Sequence, residues 1–381
     1  MKSNIVINAI SLREGGSLIE VQQLLDRMAR LRSDFQWHII TNNKAKPLLP
    51  EQKNIFFHII PYHVFDGWKV RLWYEIAFLQ LIKKIKADLL FSHTNYLPMR
   101  KVPCPTLLLV QNAGHFSKIH QRLAEAEMGN ILARIIWRLK GQWVRSSVWR
   151  ANLVTVQTRA LAEEIIKQTG VTPNRICVIP HGTGHVNLGE YVPQTLCLGK
   201  PVRIGYITMY GVQKNFEVLF KAVANLKILG FSIVLILTLD PKIDKNRKVL
   251  LLADSLGISD LIENHGDLTQ SQIDSLYKTL HIFVFPSLCE SFGFPILEAM
   301  AHSLPLLVAN TISNIEIVGD AALIFPSDNA SILTSLIQRL INDSKFRENY
   351  SRASWERAKK FTWENAAVST IQQIENLLLR S

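Results

Sequence analysis

A chain of 381 residues, 48% of them hydrophobic, holds more than one ordinary core, so its length points to two domains. Its apolar residues come in short runs rather than the roughly 18 consecutive positions that cross a bilayer, which excludes a membrane-spanning helix and favours buried parallel strands. The formal net charge of +12 asks for an anionic partner; with no zinc finger, RNA-binding signature or arginine-rich tail, nucleic acid gives way to phosphorylated small molecules and anionic lipid.

The N-terminus, Met1-Lys2-Ser3-Asn4 before Ile5-Val6-Ile7, reads as a first strand and lacks the pattern of a signal peptide. Strands are predicted at Ile5–Ile7, Trp37–Thr41, Leu89–Phe91, Thr106–Val110 and Leu153–Val156, with helices between them at Leu18–Leu31 and Trp73–Lys86. Gly189–Pro201, rich in glycine and proline, reads as a linker. A second sheet follows, with strands at Val202–Ile207, Ser232–Leu237, Ile282–Phe285 and Pro305–Ala309. Helices are expected at Glu217–Leu229, closed by Gly230, and at Ser271–Lys278. The chain ends in a helical stretch, Trp363–Leu379, with no strand after it. The fold class is therefore α/β, with two Rossmann-like domains and a ligand cleft expected between them at the carboxyl ends of the strands. The four cysteines (Cys104, Cys177, Cys197, Cys289) form no CxxC pair, which supports neither zinc nor a disulfide framework and places the protein in the cytoplasm.

One segment concentrates chemistry. Phe285-Pro286-Ser287-Leu288-Cys289-Glu290-Ser291-Phe292-Gly293-Phe294-Pro295-Ile296-Leu297-Glu298 follows a predicted strand and opens a predicted helix. Pro295 suits the first helical position, and the amides of that first turn, with the helix dipole, make an anion site. Gly293 lets the loop backbone approach a phosphate closely. Glu298, placed in the same turn, offers two acceptor oxygens to the paired hydroxyls of a ribose.

This segment resembles the glycosyltransferase family 4 type with the GT-B fold, whose E-x7-E motif is matched by Glu290 and Glu298 within S-x-x-E-S-F-G-F-P-x-x-E-A-M-A. Asn314–Phe325, Phe361-Thr362-Trp363-Glu364 and Val178-Ile179-Pro180-His181-Gly182 resemble flanking elements of the same family, the last with His181 where asparagine is usual. The match is dense from about Thr155 onward and thin before it. It implies an acceptor-binding domain at 1–190 joined by a crossover helix at 363–381, and a nucleotide-sugar-binding domain at 200–362. It implies a retaining hexosyltransferase acting on a nucleoside-diphosphate sugar, with donor contacts from Gly15, Gly16, Lys214, Asn215, Glu290, Phe292, Gly293, Phe294, Ile296, Leu297 and Glu298.

Lys214 matches the lysine that grips the donor diphosphate, and Asn215 is expected to cap the next helix; Tyr206 stands where many members carry an arginine. Glu290 is assigned to the hydroxyls of the transferred sugar. The nucleobase is expected around His265-Gly266-Asp267-Leu268-Thr269. The chain has no D-x-D motif, which fits what the resemblance implies, a GT-B enzyme that needs neither metal nor cofactor.

On the acceptor side, Asn112 and His115 follow one strand and His93 another; a glycan or lipid-linked acceptor is expected there, with His115 as a catalytic candidate. Ser117–Arg150 carries Lys118, Arg122, Arg134, Arg138, Lys140, Arg145 and Arg150 against Glu125 and Glu127, interleaved with Trp137, Trp143 and Trp149. That pattern suits peripheral contact with an anionic inner membrane face in surface-polysaccharide synthesis; a solvated helix with core tryptophans is the alternative. The rival functions are a nucleotide-sugar epimerase of the same fold and a non-catalytic sugar-nucleotide-binding protein.

Overall fold

The computed structural model describes residues 3–12, 15–61, 69–186, 188–193 and 195–380. They form two units: Met1–Ser117, Met128–Gly182 and Thr362–Ser381 make the first, and Lys118–Glu127 with Thr183–Phe361 make the second.

The first unit holds β1 (Asn4–Asn8), β2 (Gln36–Asn42), β3 (Ile55–Ile60), β4 (Leu89–Ser92), β5 (Thr106–Leu109), β6 (Leu153–Val156) and β7 (Ile176–Val178) in the order β3-β2-β1-β4-β5-β6-β7. The second holds β8 (Val202–Tyr206), β9 (Ile233–Leu237), β10 (Ile262–Asn264), β11 (Ile282–Phe285), β12 (Leu306–Ala309) and β13 (Leu323–Phe325) in the order β10-β9-β8-β11-β12-β13. Every pairing is parallel. Central strands such as β4, β5, β11 and β12 are buried at every residue, which is why they read as unbroken apolar runs. In each sheet the chain winds one way, returns to the middle and winds the other way. The reversals fall between β1 and β4, and between β8 and β11. Loops leaving adjacent strands diverge there and open a crevice at the carboxyl ends.

Seven helices carry or position the candidate site residues: α1 (Gly16–Leu31), α2 (Lys118–Glu127), α3 (Ile131–Arg150), α4 (Phe216–Ile228), α5 (Gln270–Tyr277), α6 (Phe294–Ala301) and α7 (Trp363–Leu379). Gly230 ends the chain's run from α4 at φ 77°, a left-handed position that costs glycine little. In the first unit α7 packs along α1 through Arg27–Glu364 at 3.8 Å and an Arg32–Glu375 pair.

Three expectations change. The helix predicted over Trp73–Lys86 is interrupted by a π stretch at Tyr74–Phe78. The wider turn directs Tyr74 inward, where its hydroxyl meets Asn8 Nδ2 at 2.9 Å and Thr94 Oγ1 at 2.9 Å. The basic stretch Ser117–Arg150 is not one helix: Asn130 caps a new start through Ala133 N, and the two pieces, α2 and α3, fall in different units. The segment read as a linker is packed at its start against the second unit, with Trp355 Nε1 donating to Gly189 O at 3.1 Å and the Arg352 guanidinium 4.3 Å from the Tyr191 ring centre.

Candidate functional site

The reversal point of the second sheet brings Lys214 and Glu290 together. β8 ends at Tyr206 and β11 at Phe285, and the loops beyond them carry the two residues onto one spot. Lys214 Nζ lies 2.6 Å from Glu290 Oε1, and Ser287 Oγ donates to the same oxygen at 2.6 Å. Both side chains are mostly shielded, at 13% and 15% exposure, so their attraction is weakly screened. Phe285 supports the ammonium from below, with its ring centre 5.6 Å away. The two loops are stitched together by Leu288 N donating to Gln213 O at 2.9 Å.

Tyr206, which occupies the expected arginine position, is fully buried between Phe216 and Phe285. Its hydroxyl donates to the Lys214 carbonyl at 2.8 Å, so it holds the lysine loop without contributing charge. Asn215 does stand at the start of α4, but its side chain does not cap it. The residue is left-handed at φ 52°, and its Nδ2 donates to Ser327 O at 2.8 Å and Pro286 O at 3.2 Å. Asparagine tolerates that backbone, and the amide is spent joining loops.

Gly293 precedes α6 at φ 83°, ψ 60°. Phe294 is the first helical residue, so Pro295 is second rather than first, and Glu298 is fifth, outside the first turn. The anion site is thereby thinner than expected: Pro295 has no amide hydrogen, and Ile296 N is committed to Gly293 O at 2.9 Å. Ile296 and Leu297 point into the core, and Phe292 is buried against Phe294 and Phe361. Glu298 is itself buried and accepts from Tyr277 OH at 3.1 Å. Burial lifts its carboxyl to about 7; the Tyr277 bond opposes the rise and Asp274 adds to it. Gly184, at φ 69°, brings backbone onto the same carboxylate: a Cβ there would stand 2.5 Å from Glu298 Oε1.

Helix α2 adds residues that motif reading missed. Glu127 accepts from Tyr210 OH at 2.6 Å and pairs with Lys245 at 3.1 Å. His120, on the same helix, senses the charge of Glu290; burial nevertheless holds its imidazole below the ordinary value. No spacing in the sequence links position 120 to position 290.

In the first unit, Gly15 stands at φ 77° ahead of α1, and Gly16 is that helix's first residue. His93 follows β4 and is buried; its Nδ1 lies 3.8 Å from Glu20 Oε1, while His181 Nε2 lies 2.9 Å from the same oxygen. Burial lowers His93 to about 4, with Glu20 opposing and His181 adding, so its imidazole is neutral near pH 7. His181 also stacks on Trp363, ring centres 5.3 Å apart. His115 is buried and stacks on Trp137 at 4.6 Å, and Arg145 donates to its carbonyl at 2.8 Å. Asn112 is exposed, with Oδ1 accepting from Gly114 N at 2.9 Å. Glu20 went unread because a lone glutamate in an amphipathic helix looks like a solvated position.

A cavity of about 380 Å3 opens among His265, Leu268, Ser271 and Gln272, in the stretch expected to receive the nucleobase. Among the described residues, no three His, Cys, Asp or Glu side chains are placed to hold a metal ion, and no helix is long and apolar enough to cross a membrane.

Residues 193–357 match the family model described as "Glycosyl transferases group 1", and residues 15–184 match "Glycosyltransferase Family 4". The chain is 35% identical over 106 residues to an O-antigen chain mannosyltransferase B of Escherichia coli, covering 28% of each chain. It is 28% identical over 237 residues to an MMP alpha-(1->4)-mannosyltransferase of Mycolicibacterium hassiacum, covering 60% of this chain and 55% of the relative. The chain thus spans under a third of the first relative and about half of the second. A sucrose-phosphate synthase from Thermosynechococcus elongatus superposes with a TM-score of 0.75 over 100% of both chains at 18% identity, a likeness of fold.

Proposed function

We propose that this chain, which belongs to the group 1 glycosyltransferases of the GT-B fold, is a retaining, metal-independent hexosyltransferase. It moves a sugar from a nucleoside diphosphate to a glycan or lipid-linked acceptor in the synthesis of bacterial surface polysaccharide. Mannose heads the candidate sugars, because several of the relatives by sequence are named mannosyltransferases.

The observation that carries this reading is the Lys214–Glu290 pair at 2.6 Å, shielded at the reversal point of the second sheet and next to the start of α6. As the bond from the sugar's anomeric carbon to the diphosphate breaks, negative charge grows on the leaving oxygen, and Lys214 meets it. With Pro295 and Ile296 offering no amide, the lysine supplies most of that stabilisation. Glu290, released as the diphosphate takes up the Lys214 ammonium, accepts from hydroxyls of the sugar, and Glu298 serves the ribose. The acceptor oxygen bonds to the face the diphosphate leaves, and its proton passes to the leaving diphosphate oxygen, so configuration is retained and no separate base is required.

Incubation with a panel of nucleotide hexoses, a lipid-linked glycan acceptor and a chelator should give transfer with the anomeric configuration unchanged. Donor conversion without acceptor would identify an epimerase, and loss of transfer on chelation would overturn the metal-free mechanism.

Contact with the inner face of the plasma membrane by an otherwise cytoplasmic protein completes the reading. The first half of α3 exposes Ile131 (74%), Leu132 (66%), Ile135, Ile136 and Leu139, interspersed with Arg134, Arg138 and Lys140. Trp143 turns inward instead, its Nε1 donating to Leu97 O at 2.8 Å. Aspartate at Ile135 and Leu139 should cut co-sedimentation with phosphatidylglycerol vesicles severalfold; unchanged binding would remove α3 from the contact.

A further inference from the structure

We infer that the first unit carries an accessory site for a phosphate-type anion, in a cavity walled by Arg100, Lys101, Arg150 and Arg380. The cavity measures about 640 Å3, within the range of small-molecule sites. It lies against the loop 97–105, at the amino ends of β5 and β6, where Thr106 and Asn152 stand, and beside the end of α7.

Among the described residues, four cationic side chains line this space and no carboxylate does. Arg150 is the strut of the wall. Its Nε donates to Pro98 O at 3.0 Å, and a terminal nitrogen reaches Leu97 O and Ser147 Oγ, each at 3.2 Å. Partial burial disfavours its charge, with Glu75 opposing that effect, so an anion in the cavity would relieve it. Two carboxylates stand nearby and both are occupied: Asp88 accepts from Asn4 N at 2.7 Å, and Glu75 accepts from Met99 N at 2.5 Å and Arg100 N at 3.0 Å, which fixes the loop that presents the cations. Pro98, Pro103 and Pro105 stiffen the same loop. Arg100, Lys101 and Arg380 are exposed, and no ion pair engages them among the described residues.

A preset wall of this kind suits phosphate oxygens. Arginine forks bind them in two-point fashion and lysine adds a point charge. The place differs from that of the reaction. Ligands of parallel α/β sheets react at the carboxyl ends of the strands, whereas this cavity sits at the amino ends, about 13 Å away along a four-residue strand. The site does not depend on the transferase reading. The shared chemistry has two sources, the headgroup of an anionic lipid or the phosphate of a soluble phosphorylated compound, and the test separates them.

Inorganic pyrophosphate is titrated into the full chain by calorimetry at constant ionic strength. Its binding is compared with that of Arg100→Ala/Lys101→Ala/Arg380→Ala and, as a milder change, Arg100→Gln/Lys101→Gln. A site lost from either variant, or weakened at least tenfold, while binding lost through Lys214→Ala stays separate, supports the proposal. In a second arm the same variants are sedimented with phosphatidylglycerol or phosphatidylcholine vesicles. A tenfold fall confined to phosphatidylglycerol assigns the site to lipid headgroups; an effect on pyrophosphate alone assigns it to soluble phosphates. Variants that match the native chain in both arms overturn the site.

Discussion

Lys214→Ala is expected to lower kcat by about 10²–10³-fold, the usual loss when a group aimed at developing transition-state charge is removed. The ion pair complicates that measurement, because Glu290, at 15% exposure, would lose its cation and keep the Ser287 hydroxyl as its hydrogen-bond partner among the described residues. A shielded charge stripped of its counterion destabilises a fold, so lower activity in the single variant has two explanations. Lys214→Ala/Glu290→Gln separates them. If the pair is only structural, the double variant should recover both unfolding midpoint and turnover. If Lys214 meets the leaving diphosphate, the midpoint recovers and kcat stays well below that of Glu290→Gln alone, with KM for the donor moving less than kcat. Recovered turnover in the double variant would sink the assignment.

Glu298→Gln should make the protein more stable at pH 8 and flatten its stability profile between about 4.5 and 7. The sign comes from the direction of the shift: burial raises the folded-state carboxyl from 4.5 to about 7. Below pH 4.5 both folded and unfolded forms carry the proton, and no stability is lost. Between the two values the folded form binds more protons than the unfolded chain, so stability falls as pH rises and levels off above about 7. At about 1.4 kcal/mol per tenfold change in proton affinity, the difference amounts to a few kcal/mol. Glutamine keeps an oxygen for Tyr277 OH and carries no charge to bury. Thermal unfolding across pH 4–9 reads the effect, and parallel profiles for the two proteins would show that Glu298 is not the group responsible.

What could be read from the chain alone rests on periodicity and on residues with a single backbone use. The central strands are buried on both faces and spell out apolar runs, so β1, β4, β8 and β11 were legible, whereas the reversal points they flank follow from the sheet order. The strands that escaped are β3, β7, β10 and β13, all at sheet edges; β3 is buried only at Ile55, and β7 and β10 are only half-buried. Gly293 and Pro295 marked the start of α6 to within one residue, because a left-handed backbone and a missing amide leave few other positions.

Contacts between residues far apart in sequence were decided by tertiary structure. Lys214 and Glu290 are 76 positions apart and meet because β8 and β11 are neighbours in the sheet. Glu20 sits between His93 and His181 for the same kind of reason, and Arg100, Arg150 and Arg380 share one cavity. Protonation was decided there as well. Glu290 and Glu298 are the same residue type in one motif, yet one is paired with a lysine while the other, at 6% exposure with a tyrosine hydroxyl for company, is held near neutrality. Local chemistry is written in residue order, whereas desolvation and charge partners depend on what the fold places nearby.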